Sequence, residues 1–90
     1  MRQKLAAGNW KMHGLAADLA AIDALRAANP APACEVVICP PATLLARMAE
    51  RLKRSPYCLG GQDCHVAAKG AHTGDIAATM LADAGASFVI

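Results

Sequence analysis

Gly8-Asn9-Trp10-Lys11-Met12-His13-Gly14 is the stretch on which the fold turns. It follows a short extended run, Leu5 to Asn9, and Gly14 opens a segment with Leu15, Leu19, Ile22 and Leu25 on one helical face, so it is a strand-to-helix junction. A dinucleotide-binding fold would place G-x-G-x-x-G there, and this stretch offers no glycine cradle for a pyrophosphate. Neither G-x-x-x-x-G-K-[ST] nor G-x-S-x-G occurs elsewhere, which removes the main support for P-loop chemistry and for a serine-hydrolase elbow. If the strand stays extended through its end, Leu5, Ala7, Asn9 and Lys11 face one side while Ala6, Gly8, Trp10 and Met12 face the other. An ammonium and a carboxamide then share the carboxyl end of a strand, where parallel α/β architectures bind ligands. A fixed ammonium attracts a phosphate or carboxylate and stabilises negative charge that grows in a transition state, without itself moving a proton. By spacing alone, Lys11 reads equally well as an ordinary exposed lysine and Asn9 as a turn residue.

Working outward, the first helix should end at Asn29, before Pro30. Glu35-Val36-Val37-Ile38-Cys39 is a β-branched strand stopped by Pro40-Pro41, after which Thr43 can cap a helix that turns Leu45, Met48 and Leu52 inward. Pro56 breaks that helix, Tyr57 to Gly61 reads as a third strand, and Gln62 to Gly74 is a long loop without sustained apolar period. Asp75 can cap a short helix with Ile76, Met80 and Leu81 apolar, closed by Gly85, and Ser87 to Ile90 reads as a fourth strand. Alternating, uniformly apolar strands and helices imply parallel pairing through right-handed crossovers. An open doubly wound sheet and the first half of an eightfold barrel both satisfy that pattern.

Composition narrows the class. Of 90 residues, 56% are hydrophobic and 18% charged, with a net charge of +2, which excludes a disordered chain and a nucleic-acid-binding arm. Arg47, Arg51, Lys53 and Arg54 read as the solvated face of the second helix rather than as a nucleic-acid patch. Aromatics make up only 3%, a thin core for a free-standing domain, so a part of a larger fold or an obligate oligomer is expected. No apolar run approaches the roughly 20 residues of a membrane span, and none behind Arg2 and Lys4 has signal-peptide character, so a cytoplasmic location with no membrane partner is expected. Cys34, Cys39, Cys58 and Cys64 contain no C-x-x-C pair and read as buried, reduced thiols. Cys64 and His65 are adjacent, and neighbours on an extended chain point apart, so no metal site is expected from them.

Gly8-Asn9-Trp10-Lys11-Met12 resembles the N-terminal signature of the triosephosphate isomerase family. Gly61-Gln62-Asp63-Cys64 and Lys69-Gly70-Ala71-His72-Thr73-Gly74-Asp75 are similar to that family's long third loop, and the likeness extends through Ala84-Gly85-Ala86-Ser87-Phe88-Val89-Ile90. His13 and Asp63 stand where the family often has asparagine. The resemblance implies a parallel (β/α)8 barrel, with residues 1–90 its N-terminal part: four strands and three helices of a single domain, truncated in the fourth strand. It implies a homodimeric enzyme that interconverts dihydroxyacetone phosphate and glyceraldehyde 3-phosphate through an enediolate, with no metal or organic cofactor. Asn9 would then orient the substrate, and Lys11 would be both a substrate contact and a catalytic residue, neutralising the phosphate and the enediolate oxygen. The family's proton-shuttling glutamate and carbonyl-polarising histidine have no counterpart here, since His13, His65 and His72 do not match that histidine. The resemblance also assigns Met12, Thr73 and Asp75 to the dimer interface, with Asp75 pairing an arginine of the partner. Two rival readings are a non-catalytic assembly module that pairs through its long loop, and a small open-sheet domain that binds an anionic metabolite at Lys11.

Overall fold

In the computed structural model, which describes residues 2–90, four parallel strands lie in sequential order: β1 (Leu5–Asn9), β2 (Glu35–Cys39), β3 (Cys58–Gly61) and β4 (Phe88–Val89). The register pairs Leu5 with Glu35 and Asn9 with Cys39, Val37 with Cys58, and Gly60 with Phe88. Three helices make the crossovers: α1 (Leu19–Ala28), α2 (Ala42–Arg51) and α3 (Ala78–Ala84). The molecule measures 43 × 37 × 22 Å, a curved slab of one sheet backed by one layer of helices. Sequential parallel order with helices on one side is the start of a closed barrel, whereas a doubly wound sheet reverses its strand order and carries helices on both faces. The pattern matches the N-terminal part of a TIM barrel.

Alternation along the strands separates two faces. Val36, Ile38 and Leu59 pack outward against Leu19 and Ile22 of α1, Leu44, Leu45 and Met48 of α2, and Leu81 of α3, in one apolar cluster that also holds Leu52 and Tyr57. Leu5, Ala7, Val37, Cys39 and Phe88 line the opposite, concave face around a hollow of about 100 Å³. The Tyr57 hydroxyl keeps a partner although the ring is buried, donating to the carbonyl of Asn29 at 2.6 Å and so tying the end of α1 to the start of β3. Among the described residues no buried side-chain nitrogen or oxygen lacks a partner.

Several local expectations give way to backbone geometry. The first helix does not run from Gly14: a 3₁₀ turn, Ala16–Asp18, precedes α1, and the Leu15 amide donates to the Asp18 carboxylate at 2.7 Å. Leu15 therefore falls off the inward stripe and stands 76% exposed. Thr43 is not the cap of α2. Pro41, at φ −55° and ψ 151°, occupies that position and its carbonyl accepts from the Leu44 amide, so the fixed proline ring initiates the helix and Leu44 joins the core. Asp75 does not cap α3 either, because Ala77 is held extended in a parallel bridge to His65 and the helix starts only at Ala78. Met80 accordingly turns outward. The cysteines differ too: Cys39 is buried, Cys34 and Cys58 are half-buried and Cys64 is exposed, all four as free thiols. Burial pushes the Cys39 thiol up from its ordinary pKa by disfavouring the thiolate.

Gly85 closes α3 at φ +112°, and a Cβ there would lie 2.7 Å from Cβ of Ala49 in α2. It thus provides a left-handed C-cap at a point where the end of α3 lies directly against α2. Gly85→Ala is expected to destabilise the native protein by about 1–3 kcal/mol, the scale of a strained backbone position with its contact. A urea midpoint within error of the parent's would refute this.

Candidate functional site

The carboxyl ends of β1, β2 and β3 lie side by side and are joined by a small hydrogen-bond network. Lys11, the second residue past β1, has φ +54°, a left-handed conformation that a residue with a Cβ adopts at a cost of roughly 1–2 kcal/mol. Three strands contribute to holding it. The Lys11 amide donates to Oδ1 of Asn9 at 2.9 Å. Nε2 of Gln62, the residue that follows β3, donates to the Lys11 carbonyl at 3.0 Å and to the Cys39 carbonyl at 2.8 Å. That Cys39 carbonyl, at the end of β2, also accepts from the Trp10 amide at 3.0 Å. Over-determination of a strained residue by its surroundings is the pattern found where the position of a side chain matters to function.

The geometry corrects one step of the sequence reading. β1 does not remain extended through Lys11, so strand parity does not set Asn9 and Lys11 on one side, nor Trp10 and Met12 on the other. Trp10 packs against the apolar cluster whereas Met12 is 94% exposed. Asn9 and Lys11 are joined instead by the hydrogen bond from the Lys11 amide to the Asn9 side chain, and both residues are exposed at the same strand end. Gln62 is the residue that sequence reasoning placed in a motif without giving it a task. Its long separation from Lys11 in sequence hides the contact, since only the parallel neighbourhood of β1, β2 and β3 brings it there.

The long loop between β3 and α3 carries the other candidate residues. Thr73 and Gly74 form a turn in which the Asp75 amide donates to the His72 carbonyl at 3.0 Å. Asp63 fastens the base of the loop by accepting from the Ile76 amide at 3.1 Å. Thr73 and Asp75 are exposed, as is Val66 at 99%. Among the described residues no helix is long and apolar enough to cross a membrane.

The chain matches the family model described as Triosephosphate isomerase over residues 4–90. It is 62% identical over 90 residues to the triosephosphate isomerase of Jannaschia sp. (strain CCS1) and 60% identical over 90 residues to that of Ruegeria pomeroyi. Each alignment covers 100% of this chain and 36% of the relative, so the chain spans about a third of the length of the curated relatives it matches. The crystal structure of triosephosphate isomerase from Bartonella henselae superposes with a TM-score of 0.90 at 45% identity, covering 99% of this chain and 37% of that one.

Proposed function

Because this chain belongs to the triosephosphate isomerase family, we propose that the protein of which it forms a part interconverts dihydroxyacetone phosphate and glyceraldehyde 3-phosphate, in glycolysis and gluconeogenesis. The observation that carries the reading is the left-handed Lys11, fastened by Asn9 and Gln62 at the carboxyl ends of three parallel strands. In this reading the Lys11 ammonium attracts the substrate phosphate and offsets the negative charge that grows on the enediolate oxygen. Its fixed backbone sets the point from which the ammonium reaches the substrate. Asn9 holds Lys11 through one side-chain atom and orients substrate with its amide group. The histidine and glutamate that polarise the carbonyl and carry the proton come from the remainder of the protein.

The uncovered surfaces support a larger barrel around residues 1–90. An apolar groove of about 440 Å³ runs between β1 and α1, lined by Ala6, Gly8, Trp10, Ile22, Leu25 and Val36 among others. Every residue of β1 is exposed, and a further strand and helix beside it would cover both edge and groove. We assign the protein to the cytoplasm and to a homodimer whose interface includes Met12, Thr73 and Asp75. The exposure of Met12 and Val66 supports the dimer, since apolar side chains fully in water suit an association surface.

The test is direct. Full-length protein carrying this sequence should convert glyceraldehyde 3-phosphate to dihydroxyacetone phosphate in a coupled assay without added metal or organic cofactor, and should sediment as a dimer. Absence of turnover from folded, dimeric material would end the isomerase reading.

A further inference from the structure

Arg47, Arg51, Lys53 and Arg54 form one basic run in the sequence, and folding divides them. Lys53 pairs with Glu50 at 3.0 Å, whereas Arg51 and Arg54, together with Arg26 of α1, line a cleft of about 440 Å³ between the carboxyl-terminal ends of α1 and α2. Asp23 and the rings of Pro30 and Pro56 also line it. We propose that this cleft binds the diphosphate group of a small anion, at a site separate from Asn9 and Lys11 and independent of the isomerase reading.

Position separates the cleft from the substrate site and from the surfaces that the rest of the protein would cover. Crossover helices run antiparallel to the strands, so the ends of α1 and α2 lie at the amino end of the sheet, opposite Lys11. The long loop that follows β3, with its proposed dimer contacts, lies at the carboxyl end. The apolar hollows beside β1 and β4 border the open edges of the sheet. The helices α1 and α2 follow consecutive strands and already touch, so a unit added at either edge leaves the cleft between them open to solvent.

Electrostatics sets the sign of the ligand. Asp23 is paired with Arg51, which leaves the guanidiniums of Arg26 and Arg54 without a carboxylate partner among the described residues. Helix carboxyl ends repel anions, but several carbonyls at these ends are already occupied. That of Arg51 accepts from Nη1 of Arg26 at 2.7 Å, that of Leu52 from the Ser55 hydroxyl at 2.6 Å, and that of Asn29 from the Tyr57 hydroxyl at 2.6 Å. The first of these bonds fixes the Arg26 guanidinium and leaves further N–H groups for a ligand. Guanidinium forks match phosphate oxygens in pairs, so two unneutralised forks suit two linked phosphate groups better than one. The volume falls in the range of small-ligand pockets, about 300–1,000 Å³. Arg54 has φ +60°, and it and Lys11 are the only described residues other than glycine in the left-handed region. Glycine adopts that conformation more easily, which makes the charge of Arg54 separable from its backbone.

Calorimetric titration of the full-length protein with inorganic diphosphate tests the site. One saturable site per chain is expected to survive Lys11→Ala, which removes the ammonium at the substrate end. Arg54→Gly should weaken this binding at least about tenfold, the scale of one hydrogen bond to a charged group, while the urea midpoint is held or raised and isomerase kinetics stay unchanged. Arg26→Gln, which keeps an N–H donor for the Arg51 carbonyl, should also weaken it. Orthophosphate should bind more weakly than diphosphate, since it engages one fork rather than two. ADP distinguishes two sources of the group: tighter binding than diphosphate assigns the cleft to a nucleotide, and equal or weaker binding assigns it to inorganic diphosphate. No saturable diphosphate binding, its loss in Lys11→Ala, an affinity unchanged in either arginine variant, or orthophosphate binding as tightly as diphosphate would overturn the assignment.

Discussion

Lys11→Ala in the full-length enzyme is expected to lower kcat by at least about 100-fold, the scale of removing one preorganised electrostatic group from a reacting centre. The reason lies in the separation between backbone and side chain at this position. The hydrogen bonds that fix Lys11 are made by its own amide and carbonyl, to Asn9 and from Gln62, and an alanine retains both groups. Alanine also meets the same steric penalty at φ +54°, so the substitution leaves the local conformational balance nearly untouched. What disappears is the ammonium. A loss in kcat with an unchanged urea midpoint would therefore isolate its contribution to the transition state, whereas a rise in KM alone would reduce it to a ground-state phosphate contact. Kinetics equal to the parent's would remove Lys11 from the active site. Lys11→Arg separates charge from shape: the charge is kept, but a planar fork replaces a compact ammonium, so partial activity is expected.

Elements with a strong local cause were legible in the sequence, and those set by neighbours were not. β2 is bounded by its own chemistry, a β-branched run ended by two prolines, and its predicted span, Glu35 to Cys39, coincides with the observed strand. Gly85 likewise announced the end of α3 because no other residue adopts its φ without strain. The starts of α2 and α3 depart from what the local sequence implies, for a shared reason. Thr43 and Asp75 are good capping residues, but Pro41 had already set the entry angle of α2, and the bridge between His65 and Ala77 had already delayed α3. Neither influence is visible to a local pattern rule. At the candidate site, Asn9 and Lys11 could be named from their motif, yet the manner of their joining could not. Strand parity assumes regular φ, and the left-handed turn at Lys11 breaks it. Gln62, 51 positions away, becomes adjacent only through the register of three strands. The long loop shows the same limit: its length suggested a function, but the stacking of His65 on His72 follows from its folded path.

Residues 1–90 produced alone should give no isomerase turnover above background and should self-associate. The catalytic part of this follows from the proposed function: in that reading Lys11 stabilises charge but moves no proton, and the carbonyl-polarising histidine and the proton-carrying glutamate come from the remainder of the protein. The physical part follows from surface. Leu5, Val89 and Ile90 are each 51% exposed, and β1 and β4 end the sheet on either side with unpaired backbone groups. Such edges accept strands from other copies unless something covers them. The groove beside β1 adds apolar surface whose burial stabilises at about 25 cal/mol per Å², so association through groove and edges together offsets the entropy of joining. Sedimentation should show a concentration-dependent mixture, and thermal unfolding should be broad. Adding the remaining segment of the protein should narrow both, because the same surfaces then find their intramolecular partners, and turnover should appear only in that mixture. A sharp monomer with a cooperative melt would mean that the open edges are already protected, and turnover by the 90 residues alone would mean that an acid and a base lie among them.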